Sequence, residues 1–126
     1  MENKELLSDI FQLERKLFMK MDSYRLIEQK CNQKCLNPDE KKRLYVDIHY
    51  VFKTLIRIIT NACTSLTEED IAFCCLKQTG LENMVAGRSM GIASRPAVNQ
   101  RKYRIKKKMN ASKRNDLFDM IFTPAE

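Results

Sequence analysis

Apolar side chains recur at helical spacing in every long segment of this chain, which is the pattern of helices that bury one face. Only three glycines and three prolines occur among the 126 residues. Few turn-forming and helix-breaking residues favour long helices over a sheet of many short strands. The pattern therefore predicts an all-α protein.

The first helical segment is predicted over residues 2–33. Its apolar residues start with 4-3-4 spacing, weaken at Lys20 and then resume, which resembles the stripe of a coiled coil. We expect one long, coiled-coil-like helix that pairs with a second copy of the chain. An ordinary helix packed in its own core is the open alternative. The predicted dimerisation residues are Leu6, Ile10, Leu13, Leu17, Tyr24 and Ile27.

A second helical segment is predicted over residues 37–63. Asn37 is a favourable N-cap, and Pro38 suits the first helical position. Apolar residues then keep helical spacing from Leu44 onward. We therefore expect a second long helix, and we expect residues 1–63 to form a linker or dimerisation region.

The remaining residues, 64–126, carry signals for four shorter helices. Thr67 with Asp70 three residues on is a capping-box pattern, and Gly80 supplies a helix stop. A short helix, a turn that contains Gly91, and a basic helix then follow one another, which is the order of a helix-turn-helix. The predicted helices span residues 67–79, 82–90, 96–109 and 112–121.

Positive charge is concentrated in one segment. The chain has a net charge of +7, and the 33 residues from Asn83 to Asn115 hold ten Lys or Arg and no acid. The rest of the chain is therefore net acidic. A local basic segment of this kind indicates a polyanionic partner, although a solvated basic face is the alternative.

A helical wheel separates two faces of the basic helix. At about 100° per residue, Ile105 and Met109 fall within about 20° of Val98, and this face is expected to pack on the preceding helices. Asn, Gln and Arg on the opposite side can read base edges in a major groove, while long basic side chains beside them reach phosphates. The predicted DNA-binding residues are Ser94, Arg95, Asn99, Gln100, Arg101, Lys102, Tyr103, Arg104, Lys106, Lys107 and Lys108.

The stretches "LTEEDIAFCCL", "MGI" and "VNQRKYRIKKKM" together resemble the LuxR/GerE-type C-terminal effector helix-turn-helix. The likeness is strongest to the form that ends tetratricopeptide-type transcriptional regulators of the Bacteroidetes. It reaches back through "LERKLFMKMDSYRLIEQ" to their linker and forward through "DLFDMIF" to their closing helix. One departure is Gly87, which weakens a helix by roughly 1 kcal/mol relative to Ala. The resemblance implies packing positions at Val98, Ile105 and Met109 and DNA-facing positions at Asn99, Gln100 and Tyr103.

These observations favour a transcriptional regulator that binds double-stranded DNA as a homodimer. The alternative is a non-catalytic interaction module that uses the helical pair over residues 2–63. RNA binding is a third possibility, but Tyr103 is the only aromatic residue in the basic segment available for base stacking.

No enzyme is expected, because the sequence offers one His, no glycine-rich phosphate loop and no nucleophile beside a base. We also expect no cofactor, metal or small-molecule ligand and no membrane contact. The N-terminus lacks a signal-peptide pattern, and five cysteines without disulfide-type spacing fit reduced thiols, so a cytoplasmic location is expected.

Overall fold

The fold is helical throughout the part of the chain that the structure describes. In the computed structural model these are residues 4–123, and they contain no β-strand. The all-α prediction is confirmed. The helix start predicted at residue 2 and the outer bounds of the two predicted regions, at residues 1 and 126, lie outside the described residues. The helices are α1 (Lys4–Phe18), α2 (Asp22–Lys30), α3 (Pro38–Val51), α4 (Lys53–Ala62), α5 (Glu68–Gln78), α6 (Asn83–Ser89), α7 (Arg95–Ala111) and α8 (Asn115–Phe122).

The predicted N-terminal helix divides into α1 and α2 at residues 19–21, so the prediction of one continuous helix is wrong. The backbone tightens at the break, where Met21 N–H donates to Phe18 O at 2.9 Å in the pattern common at helix ends. The turn brings Phe18 and Tyr24 together in the core, with ring centroids 6.0 Å apart. Tertiary burial of this kind outweighs local helix propensity.

The predicted second helix is also two helices, because the chain bends at Phe52 between α3 and α4. The Glu14 carboxylate of α1 accepts hydrogen bonds from Thr54 N–H at 2.9 Å and from Leu55 N–H at 3.1 Å. These are amide groups of the first turn of α4, which have no partner within their own helix. Phe52, at the bend, lies 5.3 Å from Phe18 between ring centroids. Glu14, which is distant in sequence, therefore supplies the hydrogen-bond acceptors that the first amide groups of α4 lack.

The helix starts predicted at Asn37 and Thr67 and the stop predicted at Gly80 are confirmed, whereas the last helix begins at Asn115 and not at residue 112. Asn37 accepts from Glu40 N–H at 2.8 Å, and Asn37 N–H donates to the Glu40 carboxylate at 2.9 Å, which completes a capping box. Thr67 and Asp70 form the same reciprocal pair at the start of α5. Gly80 has φ of +89° directly after α5, a backbone conformation that glycine adopts without strain.

Buried apolar residues on both sides of the predicted boundary at residues 63 and 64 belong to one core. Helices α3 and α4 both contact α5, and α8 packs against α5 and α7. The side chain of Arg88 in α6 also joins the halves, since it donates to Cys31 O at 3.2 Å and to Asn32 O at 3.1 Å. The first half is thus attached directly to the helices that carry the basic segment.

All five cysteines are free thiols, and four of them are buried. Cys74 and Cys75 lie in the core, where burial raises the pKa of both thiols. Among residues 4–123 no group of three or more His, Cys, Asp or Glu side chains is arranged to hold a metal ion. Within the same residues, no helix has the length and apolar composition that crossing a membrane requires.

Candidate nucleic-acid interface

The turn between α6 and α7 is built on Gly91. Its φ is +82°, and it follows the last residue of α6 by two positions. Ile92 N–H donates to Gly87 O at 2.8 Å and Gly91 N–H donates to Arg88 O at 3.1 Å, which is the Schellman pattern at a helix C-terminus. Ser94 then caps α7 by accepting from Ala97 N–H at 3.3 Å. The turn is therefore defined by backbone hydrogen bonds after α6 and by the Ser94 side-chain cap before α7.

Gly87 sets how closely α6 approaches α7. A Cβ atom at this position would lie well inside van der Waals contact with Cγ2 of Val98. From the sequence, Gly87 was interpreted only as a residue that weakens a helix. In the structure, Val98 packs into the space that a side chain at Gly87 would occupy, so this glycine sets the distance between α6 and α7.

The inner face of α7 is the one predicted. Val98, Ile105 and Met109 are fully buried against the core. Helix α7 contacts both α6 and α8 along its length. Because three positions spanning three turns are held in the core, the rotation of α7 about its own axis is fixed.

The outer face of α7 holds four exposed side chains: Asn99, Gln100, Tyr103 and Arg104. They line one depression of about 470 Å³ on the surface, and Tyr103 keeps 65% of its area exposed. Amide, phenol and guanidinium groups are thus presented together, each with hydrogen-bonding atoms available to a partner.

Arg101 and Lys108 lie elsewhere than predicted, since both turn to α5 instead of to solvent. Arg101 Nη1 is 2.7 Å from Asp70 Oδ1, and Lys108 Nζ is 2.9 Å from Asp70 Oδ2. Arg101 Nη2 also lies 3.1 Å from Glu69 Oε2. The carboxylate of Asp70 is buried, with 1% of the residue exposed. Our expectation that both basic groups reach phosphates is therefore corrected: they hold α7 against α5.

The ionisation of this cluster reflects its contacts. Burial alone would raise the pKa of Asp70, but the Thr67 N–H hydrogen bond and the basic groups of Lys108 and Arg101 outweigh it and lower the pKa to about 2. Tyr45 of α3 lies close enough to the same cluster for its charges to affect the pKa of the Tyr45 hydroxyl. Burial, followed by the negative charge of Glu69, raises the pKa of Tyr45 to about 12. Asp70 is thus fully ionised near neutral pH, and α3 packs beside it.

The other predicted phosphate contacts are spread from the start of α7 to near its end. Ser94 and Arg95 are exposed at the start of α7, and Lys107 is exposed near its end. Lys102 and Lys106 each rest over an aromatic ring of α8, with the ammonium nitrogen 5.8 Å from the centroid. Contacts of this type hold the lysine stem while the charge remains near solvent.

The predicted dimerisation residues divide into two groups. Leu6, Leu13 and Leu17 on α1 are more than half exposed, and Ile10 between them is partly buried. Tyr24 and Ile27 on α2 are instead buried in the chain's own core. The break at residues 19–21 rotates α2 out of the stripe, so only the α1 residues remain available to a partner.

Sequence reasoning missed three residues that shape this surface: Glu69, Asp70 and Gly87. Asp70 was interpreted only as a helix-capping residue, and its carboxylate does accept from Thr67 N–H at the start of α5. Its second contact, to Arg101 of α7, joins residues that lie 31 positions apart in sequence. Only the presence of acids next to an acid-free basic segment could have suggested the pairing.

Comparison with protein-family models, with curated proteins and with solved structures found no match to this chain.

Proposed function

We propose that the chain is a transcriptional regulator that binds double-stranded DNA as a homodimer, with α7 in the major groove. The observation that carries the proposal is the exposed group of Asn99, Gln100, Tyr103 and Arg104 on the face of α7 opposite its buried residues. Asn, Gln and Arg form the side-chain pairs that distinguish bases in the major groove. Such reading needs a helix held in a fixed orientation, which the packing on α6 and α8 and the ion pairs to α5 provide.

The charges around this face support the same proposal. Arg95, Arg104 and Lys107 have no ion-pair partner among residues 4–123 and are exposed. The amide groups at the start of α7 add a partial positive charge beside Arg95. Contacts of this kind with phosphates position a protein on the duplex and provide most of its affinity at low salt.

The order of the helices supports a LuxR/GerE-type arrangement. In this proposal α6 and α7 are the helix-turn-helix, α5 and α8 are its scaffold, and residues 1–63 are a linker region that brings two copies together. Asp70 and Gly87 act as positioning residues, because they set the attachment of α7 to α5 and its distance from α6.

Selection of preferred duplexes from a random library tests the proposal. Replacing Gln100 by Ala should relax the base preference and leave the affinity for unselected duplex nearly unchanged, because base contacts carry specificity and phosphate contacts carry affinity. Gln29→Ala, on the exposed surface of α2, is the matched control. An equal loss on all duplexes after Gln100→Ala would contradict the groove assignment.

A further inference from the structure

Helix α1 carries two apolar stripes that are displaced by one residue. The inner stripe consists of Leu7, Phe11 and Phe18, with Glu14 between the rings, and it packs on the core of the chain. The outer stripe consists of Leu6, Ile10, Leu13 and Leu17. Its leucines are 58%, 62% and 57% exposed. Exposed apolar patches of this continuity mark interaction sites, since scattered single residues are the ordinary case on a surface.

We infer that the outer stripe of α1 binds the outer stripe of a second copy with the two helices antiparallel. This inference deepens the proposed homodimer, on which it rests, by naming its contact surface and its orientation. The 4-3-4 spacing of the stripe is the spacing of helices that interlock side by side. In an antiparallel pair Leu6 meets Leu17 of the partner subunit, and Ile10 meets Leu13 of the partner subunit, so all four apolar residues are covered.

Charges beside the stripe select the orientation. Asp9 and Lys16 are exposed, and each directly precedes a stripe residue, Ile10 and Leu17 respectively. In an antiparallel pair these flanking positions face each other, so Asp9 lies near Lys16 of the partner subunit, twice by symmetry. In a parallel pair this flank would lie against the other flank of the partner subunit, so Asp9 and Lys16 would not meet. The other flank contains Leu7 and Glu14, which face the chain's own core and are already occupied.

The size of the surface indicates a reversible dimer. The stripe runs from Leu6 to Leu17 within the 15 residues of α1, so it is roughly 17 Å long at about 1.5 Å per residue. One helix pair of this length falls among the small interfaces. The dimer should therefore form and dissociate over concentrations from about 1 µM to about 300 µM, a range of weak association.

Sedimentation of the whole chain without DNA tests the surface. The wild-type chain should shift from monomer to dimer across that range. Leu13→Glu should raise the dimer dissociation constant by at least about tenfold, because it places charges at the centre of the stripe. Ala111→Glu adds the same charge at an exposed position on α7 and should have no effect. A wild-type chain that stays monomeric, or equal effects of both variants, would overturn the inference.

A charge exchange tests the orientation. Asp9→Lys and Lys16→Asp should each raise the dissociation constant about tenfold, and the double variant should return it to within about threefold of wild type. If either single variant leaves the dissociation constant unchanged, or the double variant does not recover it, Asp9 and Lys16 do not meet across the pair and the antiparallel inference is wrong. Both positions are exposed, and thermal unfolding checks that each of the three variants is folded.

Duplex binding by the same samples separates this inference from the proposed function. A chain that is monomeric yet binds duplex with base preference refutes the α1 pairing and the homodimer, and leaves the proposed reading of DNA by α7 in place. A chain that dimerises through α1 yet binds no duplex refutes the proposed function and leaves the pairing in place.

Discussion

The Arg101 guanidinium donates a hydrogen bond to the Asp70 carboxylate at 2.7 Å and so joins the exposed helix α7 to the first turn of α5. Lys108 donates to the second oxygen of the same carboxylate at 2.9 Å. Two basic residues of the acid-free segment are therefore used inside the protein. The remaining exposed charges of α7 are held at fixed positions because this pair holds the helix.

Replacing Asp70 by Asn should lower the free energy of unfolding by about 2 kcal/mol. The pKa of Asp70 is about 2 in the folded chain against an ordinary value of 3.8, and each unit of that difference corresponds to about 1.4 kcal/mol of stability from the ionised carboxylate. The carboxylate contributes fully above about pH 3.8, and its contribution is lost as the pH falls through about 2. Urea unfolding at several pH values measures this. The difference between wild type and Asp70→Asn should be constant from neutral pH to about pH 4 and then shrink. A difference independent of pH would contradict the assigned ion pairs.

Replacing Gly87 by Ala should destabilise the chain by about 1 kcal/mol, although Ala favours a helix. The new methyl group meets Val98, and crowding in a packed core costs about 1–3 kcal/mol, more than the gain of roughly 1 kcal/mol in propensity. A double-mutant cycle with Val98→Ala is the control. The substitution at Gly87 should be better tolerated when the Val98 methyl groups are absent, and strict additivity would exclude the close approach as its cause.

Replacing Glu14 by Ala should destabilise the chain by about 2 kcal/mol, because two amide groups at the start of α4, one buried and one part-buried, lose a charged acceptor. Glu14→Gln keeps one acceptor oxygen and should fall between Ala and wild type. Glu28→Ala, on the exposed surface of α2, is the matched control and should have a small effect. Chemical unfolding gives all three values, and a Glu14→Ala chain as stable as the control would show that the bend at Phe52 has another cause.

Replacing Lys107 by Gln should weaken binding to every duplex alike and reduce the slope of log affinity against log salt by about 0.9 if one phosphate contact is lost. Lys42→Gln, at an exposed position on α3, removes the same charge from the other half of the chain. Its slope should remain that of wild type. If both variants change the slope equally, net charge and not a local contact with phosphate governs binding.

The helix starts were predictable because their signals are local. Asn37, Thr67 and Ser94 cap helices through atoms three residues away, and such patterns can be read from adjacent letters. The buried face of α7 was also predictable, since it depends only on helical spacing. Local signals thus identified the all-α class and the two faces of the basic helix.

The helix breaks and the ion-pair cluster were not predictable by the same means. Neither break contains Gly or Pro. The amide group of Thr54, just after the bend at Phe52, is hydrogen-bonded by Glu14, which lies 40 residues earlier. Asp70 likewise meets Arg101 across 31 residues. The sequence shows that Arg101 is basic and lies beside the buried face, but which acid reaches it depends on how α5 and α7 pack.

Whether α7 reads DNA can be measured by fluorescence anisotropy, with the chain titrated against a random-sequence duplex, a single-stranded RNA of equal length and heparin over a series of salt concentrations. We expect preferential duplex binding with a steep negative salt slope, lost when Arg104, Lys106 and Lys107 are all replaced by Gln. Heparin and RNA bound as well as duplex, or no duplex binding at physiological salt, would contradict the claim that α7 reads DNA.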